Sequence, residues 1–367
     1  MTTNASAAPT SASPSAKESA APRESREWLW SLLIGLALLG LIATIPLFGD
    51  RSLLRTWTVI LMFCVLAQSW DFIGGFTGYS AFGNVAFFGI GAYTIGLWLT
   101  PERPFWVGLV IGAVAAGVFA VAIGLPVLRL KGHYFAIATL GTAEALRQFV
   151  AVRNVGGPGG LVSLPLPSLK LYPAFFYGFL GLSLACLLTA TWLTRGRFGY
   201  ALVAIRENEQ AAEALGITAY RYKVAAFALS AIPAAIAGGL YAWFSVGFEP
   251  SDVFGSNITV EMVLLAFLGG RGTILGPLLG GIAFEWFSFQ LQTSSVALQL
   301  GPLALDVSGI HNTLLGLTIV IVAIFLPQGF VRLVQEFTQP AVATGPRANR
   351  FVEGARRVRR FIAANGV

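Results

Sequence analysis

Arg206, Glu207, Glu209 and Glu213 fall within eight residues of a chain that is otherwise strongly apolar. Each would cost roughly 2–3.5 kcal/mol at the centre of a bilayer, so the segment that carries them belongs at a membrane face. Leu202, Ile205, Ala212 and Leu215 recur there at helical spacing, which gives Gly199–Gly216 one side that can rest on protein or lipid and one that faces water. Gly216 is a natural helix stop. The pattern predicts an amphipathic helix that offers a docking surface to a partner.

Other residues that could do chemistry are sparse. Glu144 and Arg147 stand one helical turn apart within an apolar run and are placed to pair. Glu261, Glu285 and Asp71 are the remaining acids within apolar runs, with Asp71 near an inner edge where water can reach it, and they trace no proton relay. His133 and His311 are far apart and belong to no metal-ligand spacing, so no metal is expected. None of the four lysines, Lys17, Lys131, Lys170 and Lys223, follows a glycine, so no phosphate-binding loop is present and no cofactor is expected in this chain. The glycine run Gly269–Gly276 reads as a helix break. Cys64 and Cys186 lie in separate apolar runs and read as core residues.

The elements that must position these residues are membrane spans. Hydrophobic residues make up 56% of the 367 and charged residues 11%, against about a quarter charged in a soluble domain; mean hydropathy is +0.73. Residues 1–27, rich in Ala, Ser, Thr and Pro, read as a disordered tail. Apolar runs then predict ten spans: Trp28–Phe48, Leu53–Phe72, Ala81–Leu99, Phe105–Leu128, His133–Val150, Tyr172–Leu193, Val224–Val246, Ile258–Leu268, Ile274–Leu291 and Ile310–Leu326. The first is too long, and ends too apolar, for a cleaved signal. The eighth is too short to cross unaided, so Ile258–Leu291 is expected as two tilted or partial helices.

The fold class expected is an all-α integral membrane protein, with a transmembrane domain over 28–331. Its main cytoplasmic loop is 195–223, and 332–367 form a basic cytoplasmic tail. With both termini inside, Arg129, Lys131, Arg195, Arg197, Arg206, Arg221, Lys223, Arg271 and the Arg-rich tail share the cytoplasmic side. The net charge of +7 is then a mark of topology and not of nucleic-acid binding. Gly74, Gly75, Thr77, Gly78, Ser80 and Asn84 put glycines and polar groups together at membrane depth. Unwound backbone of that kind lines cavities, which makes these residues, with Glu144, the candidate translocation path. Gly156, Gly157, Gly159 and Gly160 mark an irregular loop on the outer face. Small-residue patches at Gly112–Gly117, Ala234–Gly239 and Gly276–Gly281 suit tight helix packing.

Four blocks, GYSAFGNVAFFGIGAY (78–93), LKGHYFAIATLG (130–141), AIRENEQAAEALGI (204–217) and LGGRGTILGP (268–277), resemble the LivM-type permease subunits of ABC importers for branched-chain amino acids. The resemblance runs from about Leu66 to Phe330. It implies the ABC importer permease fold, import of branched-chain or other hydrophobic amino acids by alternating access, and a location in the bacterial inner membrane. It implies two separate ATP-binding subunits that hydrolyse the ATP, a second LivH-type permease and a periplasmic binding protein, so this chain is not itself an enzyme. It also implies that Arg206, Glu209, Gln210, Ala211, Ala212, Glu213 and Gly216 couple to the ATPase, although Gln210 stands where the family pattern has Glu. A urea or short-amide importer permease is the closest alternative. A secondary transporter or channel, or a membrane enzyme, would need a carboxylate relay or a clustered catalytic set.

Overall fold

The computed structural model describes residues 24–100, 102–157, 161, 172–293, 297–300 and 303–306. The expected span Ile310–Leu326, the tail 332–367, nearly all of the tail 1–27, and Gly159 and Gly160 lie outside the described residues.

The chain is built from α1 (Glu24–Ile42), α2 (Ile45–Phe48), α3 (Arg51–Thr77), α4 (Val85–Trp98), α5 (Phe105–Val127), α6 (His133–Val152), α7 (Tyr172–Arg195), α8 (Arg197–Glu207), α9 (Glu209–Ala214), α10 (Ala219–Ser245), α11 (Pro250–Phe254), α12 (Ser256–Gly269) and α13 (Gly276–Thr293). Among the described residues seven helical stretches are long and apolar enough to cross a membrane, α1 with α2 and α11 with α12 each counting as one. The β structure described is an antiparallel hairpin, β1 (Ala297–Leu300) and β2 (Leu303–Asp306), with Ala297 opposite Asp306, and an isolated bridge between Leu161 and Phe248. The hairpin departs from the all-α expectation. Its runs of four residues are too short to make a stable helix, and a Gly-Pro pair separates them in sequence.

Helix α3 is the axis of the bundle. Leu61, Cys64, Val65, Leu66, Ile73 and Trp70 along it are all sealed from solvent, and α7, α10, α12 and α13 pack around it. Polar side chains pin it in place: Ser69 donates to the Ser230 carbonyl on α10 at 2.9 Å, and Ser183 of α7 donates to Gln68 at 3.0 Å. In an apolar solvent such bonds and close backbone contact replace the hydrophobic effect as the packing force. Close contact is most evident between α4 and α10, where a Cβ on Gly91 or on Gly238 would lie 1.9 Å from the carbonyl of Ala235 or Phe88. Two of the expected small-residue patches behave in this way, Gly239 against Leu109 and Gly281 against Cys64, whereas Gly117 has open space around it.

Successive helices run in alternate directions, which gives the bundle two distinct ends. One end gathers the segment after α3, the α5–α6 turn, α8, α9 and the α12–α13 turn: Tyr220 donates to the Leu125 carbonyl, Arg129 lies over the Tyr220 ring, and Arg195 lies over the ring of Trp28. The opposite end carries Arg103 over Trp98, and Leu161 bonded to Phe248 at 3.1 Å in both directions.

Candidate functional site: the charged segment and its anchors

The expected single helix over Gly199–Gly216 is two helices. Asn208 has extended backbone (φ −161°, ψ 106°), which ends α8, and its side chain accepts from the Ala211 N–H at 3.0 Å to cap α9. Glu209 then occupies the first turn, where a carboxylate suits the helix dipole. At the far end Gly216 has φ 87°. Its N–H bonds to the Glu213 carbonyl at 2.9 Å and the Ile217 N–H to Ala212 at 3.0 Å, the paired bonds of a left-handed helix stop.

The break decides which residues face outward. Leu202, Ile205 and Ala212 are buried, and Ile205, Ala212 and Ala219 form a small apolar cluster of their own. Leu215 is 82% exposed, against the expectation that it joins them, because it follows the last turn of the shorter α9 and caps it from outside. Gln210, Ala211, Glu213 and Gly216 are exposed as well.

Arg206 and Glu209 point into the bundle. Arg206 donates from Nη1 to the Gly75 carbonyl at 3.0 Å, with its stem against Gly78 and its guanidinium beside Gly272. Asp71, expected at a wet edge, is buried, and its Oδ1 accepts from the Gly272 N–H at 2.8 Å. It is withdrawn from water because α3 continues past it to Thr77, through Gly74 and Gly75. Unwound backbone is therefore confined to Gly78–Asn84, a shorter stretch than the one expected from Gly74, and Thr77 returns its hydroxyl to the Ile73 carbonyl at 2.6 Å.

Glu209 meets two partners absent from the expected set. Lys223, buried in the first turns of α10, donates to Glu209 Oε1 at 2.8 Å and to the Tyr79 hydroxyl at 3.1 Å. Tyr79 donates in turn to Glu209 Oε2. The ring of Tyr79 stands edge-on to Phe135 at 5.3 Å, with the Lys223 amine 4.3 Å from its centroid. Burial raises the Tyr79 phenol above its ordinary range, reinforced by the Glu209 carboxylate. Burial also pushes the Glu209 carboxyl up, but the bonds from Lys223 and Tyr79 outweigh it and the group titrates below its ordinary value. Sequence reading counted Lys223 only as a cytoplasmic charge; its signal was a lone lysine at the start of a long apolar run.

The remaining path candidates are not assembled around one point. Asn84 is fully buried, and neither polar atom of its amide has a partner among the described residues. Ser80 is half-buried. Glu144 sits on the outer surface of α6, bonded to Arg147 at 2.5 and 2.8 Å and to Gln148 at 3.0 Å. Gly156 and Gly157, with φ 93° and 110°, form the turn after α6 at the end opposite the charged segment, where Gly156 packs on Leu161. Glu261 and Glu285 meet across α12 and α13. Among the described residues no group of three His, Cys, Asp or Glu gathers to hold a metal.

The sequence pattern of the family described as "Branched-chain amino acid transport system / permease component" matches residues 52–324. The chain is 30% identical over 278 residues to the high-affinity branched-chain amino acid transport system permease protein LivM of Escherichia coli, covering 67% of this chain and 65% of that protein. It is 31% identical over 211 residues to the autoinducer 2 import system permease protein LsrC of Klebsiella pneumoniae, covering 52% of this chain and 54% of the relative. A probable LivM of Methanocaldococcus jannaschii is 26% identical over 187 residues, 48% of this chain and 54% of the relative. The chain thus spans from about half to a little under two thirds of the length of these curated relatives.

Proposed function

This chain belongs to the LivM-type family of permease components of branched-chain amino acid transport systems, and on that footing we propose that it is the membrane-spanning subunit of an ABC importer that moves branched-chain or other hydrophobic amino acids into the cytoplasm. The observation that carries the coupling role is the form of α8 and α9: a capped helix, held from behind by Arg206 and Glu209, that presents Gln210, Glu213, Leu215 and Gly216 to solvent. A leucine 82% exposed beside charged groups, on a helix whose two ends are fixed by a cap and a glycine turn, is a surface that we read as offered to a protein partner. We assign that partner as an ATP-binding subunit, two of which hydrolyse ATP for the complex; this chain performs no covalent chemistry and holds no cofactor. The end of the bundle bearing α8 and α9 faces the cytoplasm of a bacterial inner membrane, and both termini lie there.

Alternating access then needs a segment that changes shape under load. Gly78–Asn84 serves, because it is the unwound backbone next to the anchors, and Asn84 has a buried amide free to bond to ligand or water. Glu144 and Arg147 are half-buried and Gln148 exposed on an apolar helix, where facing lipid would cost about 2.5–3.5 kcal/mol per charge. A second LivH-type permease, or a watery path between the two subunits, spares that cost. Gly156 and Gly157 lie at the opposite end of the bundle, on the face that receives a periplasmic binding protein in this reading.

The test is ATP-dependent uptake by the co-purified complex in proteoliposomes, with labelled leucine and autoinducer 2 in parallel. Leucine uptake that is lost in Gly216→Asp and Glu213→Lys, together with bound ATPase, supports the reading. Uptake of autoinducer 2 alone would keep the architecture and overturn the substrate, and leucine uptake by this chain without an ATPase would overturn the importer reading.

A further inference from the structure

Glu209, Tyr79 and Lys223 come from three different elements: α9, the unwound segment after α3, and the start of α10. All their polar atoms at the junction are spent on one another. Both Glu209 oxygens accept, the Tyr79 hydroxyl donates and accepts, and the Lys223 amine donates twice. Lys223 is 2% exposed and the Glu209 side chain 16%. Separating them would leave a buried charge without a partner, so when one element moves the cheaper course is for all three to move together. α8 packs through Ile205 on Ala212 and Ala219 but has its polar tie elsewhere, through Arg206 to Gly75 at the end of α3 and past it to the Gly272 turn held by Asp71. Between the two ties lies the extended residue Asn208.

We propose that Tyr79 and Lys223, joined through Glu209, are the positioning residues that carry a displacement of α9 into the unwound Gly78–Asn84 segment and into α10, with Asn208 as the hinge that lets α9 swing while Arg206 holds α8. The proposal rests on the reading of α8 and α9 as the docking segment. Force applied at Leu215 and Glu213 reaches the path through Tyr79, which lies two residues beyond the end of α3 and leads directly into Ser80 and Asn84.

The experiment uses the full reconstituted complex and reads three quantities: ATPase retained on purification, ATP hydrolysed, and leucine taken up. Tyr79→Phe keeps the ring on Phe135 and removes only the hydroxyl; Lys223→Met removes the amine; the exchange Glu209→Lys with Lys223→Glu restores a pair with reversed polarity. The expected result is that ATPase stays bound in Tyr79→Phe and Lys223→Met while leucine moved per ATP falls about tenfold, the size of a typical coupling energy between sites, and that the exchange recovers part of the loss. Uptake and hydrolysis falling in equal proportion, or an unchanged ratio, would overturn the proposal. If Lys223→Met fails to accumulate in the membrane, Tyr79→Phe decides the question alone. Failure of the docking reading shows separately, as ATPase that still binds Leu215→Asp, and the joint would fall with it.

Discussion

The junction of Glu209 with Lys223 and Tyr79 turns an exposed acidic segment into a part of the bundle, and it has a pH signature. Glu209 titrates below its ordinary 4.5, so the stability it contributes is present above that value and is lost as pH falls through the lowered one. Tyr79 titrates above its ordinary 10.0, so its contribution is present below that value and is lost only as pH rises beyond it. The neighbouring Lys131 favours the Glu209 carboxylate, and Glu213 opposes ionisation of Tyr79, so both extend the same window. The junction's contribution to the melting temperature of the purified chain should therefore be fully present and independent of pH between about pH 5 and 9. Glu209→Gln should lower it by the equivalent of about 1–3 kcal/mol, because an amide cannot satisfy two donors as a carboxylate does. A variant as stable as the wild type at neutral pH, measured by thermal melting in detergent, would mean the three groups do not hold one another. None of this is legible in the sequence, since Tyr79 and Glu209 are 130 positions apart and only the fold brings them together.

At the scale of elements, the apolar runs foretell most helices, because a bilayer demands length and apolarity that composition displays openly. The exceptions have physical causes. α3 extends five residues past its expected end at Phe72, through Gly74 and Gly75, because neighbouring helices bury that turn completely and Arg206 satisfies the carbonyl of Gly75. α4 begins four residues late, at Val85, because Gly78–Asn84 stays unwound. The amphipathic pattern of 199–216 is visible, but its break is not, because Asn208 acts through a cap that a helical wheel does not display. Gly216 is the position in this segment where the left-handed backbone leaves least choice. Gly216→Ala should cost about 1–2 kcal/mol of local stability and loosen α9, read as faster amide exchange from Ala211 to Ile217, with little change in α10. Equal exchange in both proteins would remove the argument for a fixed turn.

Across the whole molecule, the faces of α5 and α6 differ in a way that predicts their neighbours. Trp106, Val110, Val114 and Val118 leave α5 with an exposed apolar stripe suited to acyl chains, whereas α6 adds to its exposed Tyr134, Ile137 and Phe149 the half-buried Glu144–Arg147 pair and the exposed Gln148. Val114→Trp should leave assembly intact, since lipid accommodates an added ring. Gln148→Trp should displace the second permease proposed above, seen as a smaller particle by size-exclusion chromatography. The opposite pattern would place the permease seam on α5.

On the reading proposed above, the end of the bundle bearing α9 faces the cytoplasm and docks a separate ATPase. The chain's two cysteines, Cys64 and Cys186, are both buried, so Leu215→Cys creates a unique surface thiol without removing either. Maleimide labelling of that thiol in inside-out and right-side-out vesicles, with and without the ATPase, tests the claim most directly. The expected result is rapid labelling in inside-out vesicles only, and protection when the ATPase is bound. Labelling from the outside, or a thiol that stays equally reactive with the ATPase present, would contradict it.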